Sequence, residues 1–106
     1  MRKISWIIDS GHAWLKVPIK EIERLHISAS ISNFSYVDSD YAYLEEDCDA
    51  CKYFNAVWGE DWHRNASVMY LINNLPNKRY NYFAPCRSFE RWKGLEYLKQ
   101  FDLITA

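Results

Sequence analysis

The stretch FSYVDSDYAYLEEDCDACKYF, residues 34–54, decides the fold because its apolar period changes once along its length. Before Glu45 the spacing is that of strands. Phe34 and Tyr36 share one face and Tyr41 and Tyr43 another, on either side of the polar turn Asp38-Ser39-Asp40. From Asp47 onward, Ala50 or Cys51, Phe54, Val57 and Trp58 fall at helical spacing. The expectation is a hairpin feeding a helix, with Asp47 as its cap.

The same order precedes it. ISWII, residues 4–8, is rich in β-formers, and Ser10-Gly11 follows as a turn signal. HAWLKV then alternates Ala13, Leu15 and Val17 against Trp14 and Lys16. Pro18 suits the first position of a helix that carries Ile19, Ile22 and Leu25 to a border at His26. Downstream, Trp62, Ala66, Met69 and Ile72 predict a helix over 61–74, although SVMYLI would also pass for a buried strand. RYNYF, residues 79–83, reads as a strand stopped by Pro85. Ser88 reads as the N-cap of a last amphipathic helix with Trp92, Leu95, Leu98 and Phe101. Together these predict a single α+β domain over 1–106. Its antiparallel sheet is built of β-hairpins with helices packed on one face, in ββα-ββα order with a helical C-terminus.

Composition narrows the class. A chain of 106 residues has surface enough for one core, and 49% hydrophobic with 17% aromatic residues supplies it. A formal net charge of -1 gives no global pull toward nucleic acid or membrane. Three cysteines argue against a closed disulfide framework. The first residues contain no apolar run of signal-peptide length, and no segment approaches a spanning helix, so a cytoplasmic protein is expected.

Few residues invite catalysis. Cys48-x-x-Cys51 with His63 and Cys86 offers three thiolates and an imidazole to zinc, but no second C-x-x-C follows. Cysteines in this setting more often serve as small core hydrophobes. Carboxylates on both sides of the thiols oppose a redox role, because a negative field disfavours the thiolate. Asp9, Ser10 and His12 crowd into one tight turn, where such side chains satisfy backbone groups rather than share a proton. No catalytic residue and no cofactor are expected. A small zinc- or thiol-dependent enzyme stays as an alternative.

Charge placement says more. Over 38–61 there are eight acids against Lys52 alone, and over 78–93 five bases against Glu90. Helix capping accounts for some of the acids. The remainder predicts an acidic ridge that binds a partner through Asp38, Asp40, Glu45, Glu46, Asp49, Glu60 and Asp61, with Tyr41 and Tyr43 as aromatic anchors. The alternative is single-stranded nucleic acid bound by KRYNYFAPCRSFERWK, residues 78–93, through Arg79, Tyr82, Arg87 and Arg91.

The segments GHAWLKVP (11–18), FSY (34–36) and YAYLEEDCD (41–49) together resemble a group of small proteins recurrent in phages, plasmids and other mobile elements. Their pattern runs G-H-x-W-L-x-V-P, then Y-S-Y, then Y-L-E-E-D-C-D. The likeness covers about residues 5–55, and Cys51 lies outside the pattern. It carries no catalytic residue. It implies a short accessory protein that inhibits a host defence or nucleic-acid-handling complex, of the anti-CRISPR or anti-restriction type, by contact. The partner would be a host protein or nucleoprotein complex rather than a membrane, with a dimer left open.

Overall fold

Two hairpins form where the alternation predicts them, and both join one sheet. A computed structural model describes residues 3–100. The first hairpin is β1 (Ser5–Ile8) with β2 (Ala13–Pro18), pairing Trp6 with Leu15 and Ile7 with Trp14. The second is β3 (Tyr36–Val37) with β4 (Tyr41–Glu45). β2 and β4 lie antiparallel, so the hairpins fuse through Leu15 opposite Leu44. Each hairpin is followed by a helix, α1 (Ile19–Arg24) and α2 (Asp49–Trp58). Pro18 stands just before α1 rather than in it, and His26, at φ 57, turns the chain out after it.

A 3₁₀ turn at Trp62–Arg64 leads into α3 (Ala66–Asn73), so the ambiguous SVMYLI segment is helix. Its cap is Asn65, whose side chain accepts from the N–H groups of Ser67 and Val68 at 3.0 and 3.1 Å. The chain then returns as β5 (Asn77–Arg79), a 3₁₀ turn at Pro85–Ser88, β6 (Glu90–Arg91) and α4 (Leu95–Gln100). The strand order is β5-β1-β2-β4-β3-β6. A radius of gyration of 13.4 Å matches the roughly 13 Å of a compact domain of this length.

Four expectations need correction. The sheet is mixed, because β5 runs parallel to β1 after the crossing through α2 and α3. That strand is Asn77–Arg79 rather than RYNYF. Trp6 N–H donates to Pro76 O and Tyr80 N–H to Ile8 O, both at 2.8 Å, and beyond Tyr80 the chain leaves the sheet. The helix expected from Ser88 does not begin there. Trp92 is pinned instead by its N–H to Ser35 O (2.9 Å) and its indole N–H to Ser28 O (3.2 Å), and Gly94 at φ 96 resets the chain before α4. The Ser88 hydroxyl donates back to Pro85 O, and Phe101 lies outside the described residues. Finally, α2 has Cys48 at its N-cap and no side-chain cap, so Asp47 does not fill that role.

Both sheet faces are covered. Leu15, Val17, Val37, Ala42 and Leu44 join Ile19 and Ile22 of α1, Tyr53 and Phe54 of α2, Ile72 of α3 and Leu98 of α4 in the main core. The alternate residues Ile7, Trp14, Tyr36, Tyr41 and Tyr43 pack with Tyr80, Ala84, Cys86 and Phe89 in a second. This cover is loop and 3₁₀ turn. It places the 80–89 segment, with its aromatics and Arg87, over the strands that carry Trp14 and Tyr36.

Candidate functional site

The site grows from Asp9, in the turn between β1 and β2. Its Oδ1 accepts from the N–H groups of Gly11 (3.0 Å) and His12 (2.9 Å), the turn role expected of it. The same carboxylate also reaches across the chain. Oδ2 accepts from Ala84 N–H at 2.9 Å and Arg87 Nε at 2.7 Å, and Arg87 Nη2 donates to Oδ1 at 3.0 Å. This forked pair is shielded, since the Asp9 side chain is wholly buried. The Arg87 guanidinium holds the Asp9 carboxyl well below the usual carboxylate range, and its backbone donors help overcome the opposing effect of burial.

Arg87 then orders its surroundings. Its Nη2 lies 3.0 Å from His12 Nδ1, and a guanidinium can only donate, so Nδ1 accepts and the ring proton belongs on Nε2. The guanidinium carbon stands 5.1 Å from the Trp14 ring centre and 4.8 Å from that of Phe83, while His12 stacks on Trp14 at 5.9 Å. Four residues on, in β6, Arg91 lies over Tyr36 at 5.1 Å and donates to Asn33 O at 2.9 Å. Glu45, Asp47 and Cys48 complete the lining where β4 gives way to α2. The result is a cleft of 510 Å³ lined by His12, Trp14, Phe34, Tyr36, Glu45, Asp47, Cys48, Arg87 and Arg91. Trp14 is buried at its edge, and its indole N–H has no hydrogen-bond partner among the described residues.

No known protein family, curated protein or solved structure matches this chain.

The acidic ridge does not form as one surface. Asp49 is fully buried, accepting from the hydroxyls of Ser32 and Ser35 at 2.6 Å each and from Lys52 at 2.9 Å. Burial pushes its carboxyl up, but the serines and the lysine outweigh that and leave it lowered. It ties the loop before β3 to the start of α2. Tyr43 is also interior. Its hydroxyl donates to Asp38 Oδ2 at 2.6 Å, and burial, then Asp38, drives the phenol far above its usual range. Asp38 is occupied by that bond and by the turn N–H groups of Asp40 and Tyr41.

Most of the remaining acids fall into two groups. Exposed Glu46 and Asp47, with half-buried Glu45, stand before α2, and Glu60 and Asp61 follow it, separated by about 15 Å of helix; Asp40 belongs to neither group. Asp40 lies at the opposite end of β4 from Glu45. Glu46 is raised by burial, then by Asp47 and Glu45, as expected of crowded carboxylates.

The other predicted sets are likewise dispersed. Cys86 is buried in the second core with its thiol pushed up to about 12, chiefly by burial. Cys48 and Cys51 sit at the start of α2, where burial raises the Cys51 thiol, and His63 lies past the far end of that helix. No group of three or more His, Cys, Asp or Glu that could hold a metal ion occurs among the described residues. The basic set is split by the sheet. Arg79 is on edge strand β5 and Arg91 on edge strand β6, five strand spacings or roughly 24 Å apart. Sequence reasoning missed Trp14, Phe34 and the Asp9–Arg87 pair. The available signal was the G-H-x-W segment, but its partner lies 75 residues away. No helix among the described residues is long and apolar enough to cross a membrane.

Proposed function

We propose that this chain is a non-catalytic binding module that docks a protein partner through the cleft between Arg91 and Glu45–Asp47. The observation that carries the reading is a cleft where exposed Phe34 and further aromatic residues meet charges of both signs. Phe34, 63% exposed, lines the cleft with half-buried Tyr36 and buried Trp14, and Arg91, Glu45 and Asp47 line it too. Aromatic residues and arginine dominate the energetic centres of protein interfaces. Because Asp9 neutralises Arg87, the free charge of the cleft is one arginine against two carboxylates, which disfavours a polyanion.

The sequence resemblance supports a partner among host defence or nucleic-acid-handling complexes in the cytoplasm, inhibited by contact. Glu45 and Glu46 stay in this proposal from the predicted acidic surface, and Asp47 joins them. Affinity capture from host lysate tests it with two variants. Phe34→Asp with Asp47→Lys should lose the species that the wild type retains, while Asp40→Lys with Glu60→Lys and Asp61→Lys should keep it. Retention by the first variant, or loss by the second alone, would overturn the cleft as the docking site.

A second reading is favoured by one observation. Tyr82 and Phe83 are 83% and 74% exposed, and Phe83 stacks on Arg87, which is the composition of a base-stacking platform. Filter binding of single-stranded DNA and RNA at two salt concentrations separates the readings, since no retention at low salt removes this one.

A further inference from the structure

The geometry points to a second site of different chemistry, a cleft that binds an apolar chain ending in a carboxylate. It encloses 680 Å³ where the N-terminal end of β1, the end of α2 and the exit from α3 meet. Its walls follow from the topology. Register pairing of β5 with β1 begins at Asn77, and the Pro76 carbonyl accepts from Trp6 N–H at 2.8 Å, so Leu75 and Pro76 line the cleft with Ile4 just before the paired strand. Trp58, the last residue of α2, faces them, and Leu71 of α3 stands at the rim 47% exposed.

The charges on this wall are of one sign. Lys3 and Lys16 are the only charged residues lining the cleft, and neither is in an ion pair among the described residues. The Lys16 ammonium is held 4.2 Å over the ring of Tyr41, which also lines the cleft. The carboxylates nearest in the lining belong to an adjoining hollow that shares Lys3 and Tyr41. There Glu23 is paired with Lys99 at 3.0 Å, and exposed Asp40 shares the hollow with Lys20 as well as Lys3. A mostly apolar cleft of this size with a few convergent polar groups is the usual form of a small-molecule site. Two unpaired ammoniums at its edge select the anion. The mixed-charge cleft at Arg91 has the opposite balance, so the two sites differ in ligand class.

Calorimetric titration of the whole chain with dodecanoate, kept below its micelle concentration, tests this site. Saturable binding is expected, at least about tenfold tighter than for dodecylammonium, and about two- to fourfold weaker for each methylene removed toward octanoate. Leu71→Asp, at an exposed position, should weaken dodecanoate binding at least about tenfold with an unchanged circular dichroism spectrum. Lys16→Glu should abolish the preference for the anion. The docking variant Phe34→Asp/Asp47→Lys should bind dodecanoate as the wild type does, so failure of either site is read separately. No saturable binding, equal affinity for dodecylammonium, or wild-type behaviour of both Leu71→Asp and Lys16→Glu would overturn the assignment. So would sedimentation showing a wild-type dimer that Leu71→Asp dissociates.

Discussion

At the scale of single residues, Asp9 joins fold and site. Its carboxylate closes the first turn, fixes Ala84 and holds Arg87 against Trp14 and His12. Removing one partner of a buried, hydrogen-bonded ion pair typically costs about 3–5 kcal/mol, and that is the loss expected for Asp9→Ala in urea denaturation. The pH dependence has a definite sign. A carboxyl lowered in the folded state contributes stability that is complete above its unfolded value near 3.8 and fades as pH falls through the folded one. Asp49 acts in the same direction. Asp9→Asn should therefore be less stable than wild type at pH 7, and its stability should fall less steeply between pH 5 and 2. An acid limb identical to that of the wild type would show that the buried pair is not formed.

At the scale of elements, sequence reasoning succeeded where a local pattern dominated. The alternation in HAWLKV and YAYL became strands, and of the helix expected over 61–74 the part Ala66–Asn73 formed behind its Asn65 cap, after a separate 3₁₀ turn at Trp62–Arg64. It failed where a distant contact overrides the local pattern. Phe89–Lys93 has helical spacing, yet Arg91 pairs with Tyr36 across the sheet edge and Trp92 bonds Ser35 and Ser28. RYNYF alternates like a strand, yet pairing stops at Arg79 because β1 ends at Ile8. The acidic ridge failed for a related reason, since spacing alone cannot show that two serines would draw Asp49 inside. Gly94 gives this point a test. At φ 96, Ala in its place should destabilise by about 1–2 kcal/mol. If the helix ran unbroken from Phe89, the same change would stabilise by roughly 1 kcal/mol. Thermal denaturation of Gly94→Ala reads the sign.

At the scale of the molecule, the chain's charge asymmetry is resolved into separate places. The basic 78–93 segment crosses from one sheet edge to the other and covers the face opposite the main core. Arg87 is spent on Asp9, Arg79 stays at the far edge, and Arg91 reaches the cleft, where Glu45 and Asp47 face it. The acids beyond α2 lie at the other end. The acids expected on one surface are therefore dispersed, with Glu45 and Asp47 at a mixed-charge, aromatic cleft and Glu60 and Asp61 beyond the far end of α2. Amide hydrogen exchange of the chain, alone and bound to the protein it captures, tests this directly. The account predicts new protection at residues 33–36, 45–48 and 84–91, with 38–41 and 60–64 unchanged. Protection confined to 38–41 and 60–64 would contradict it.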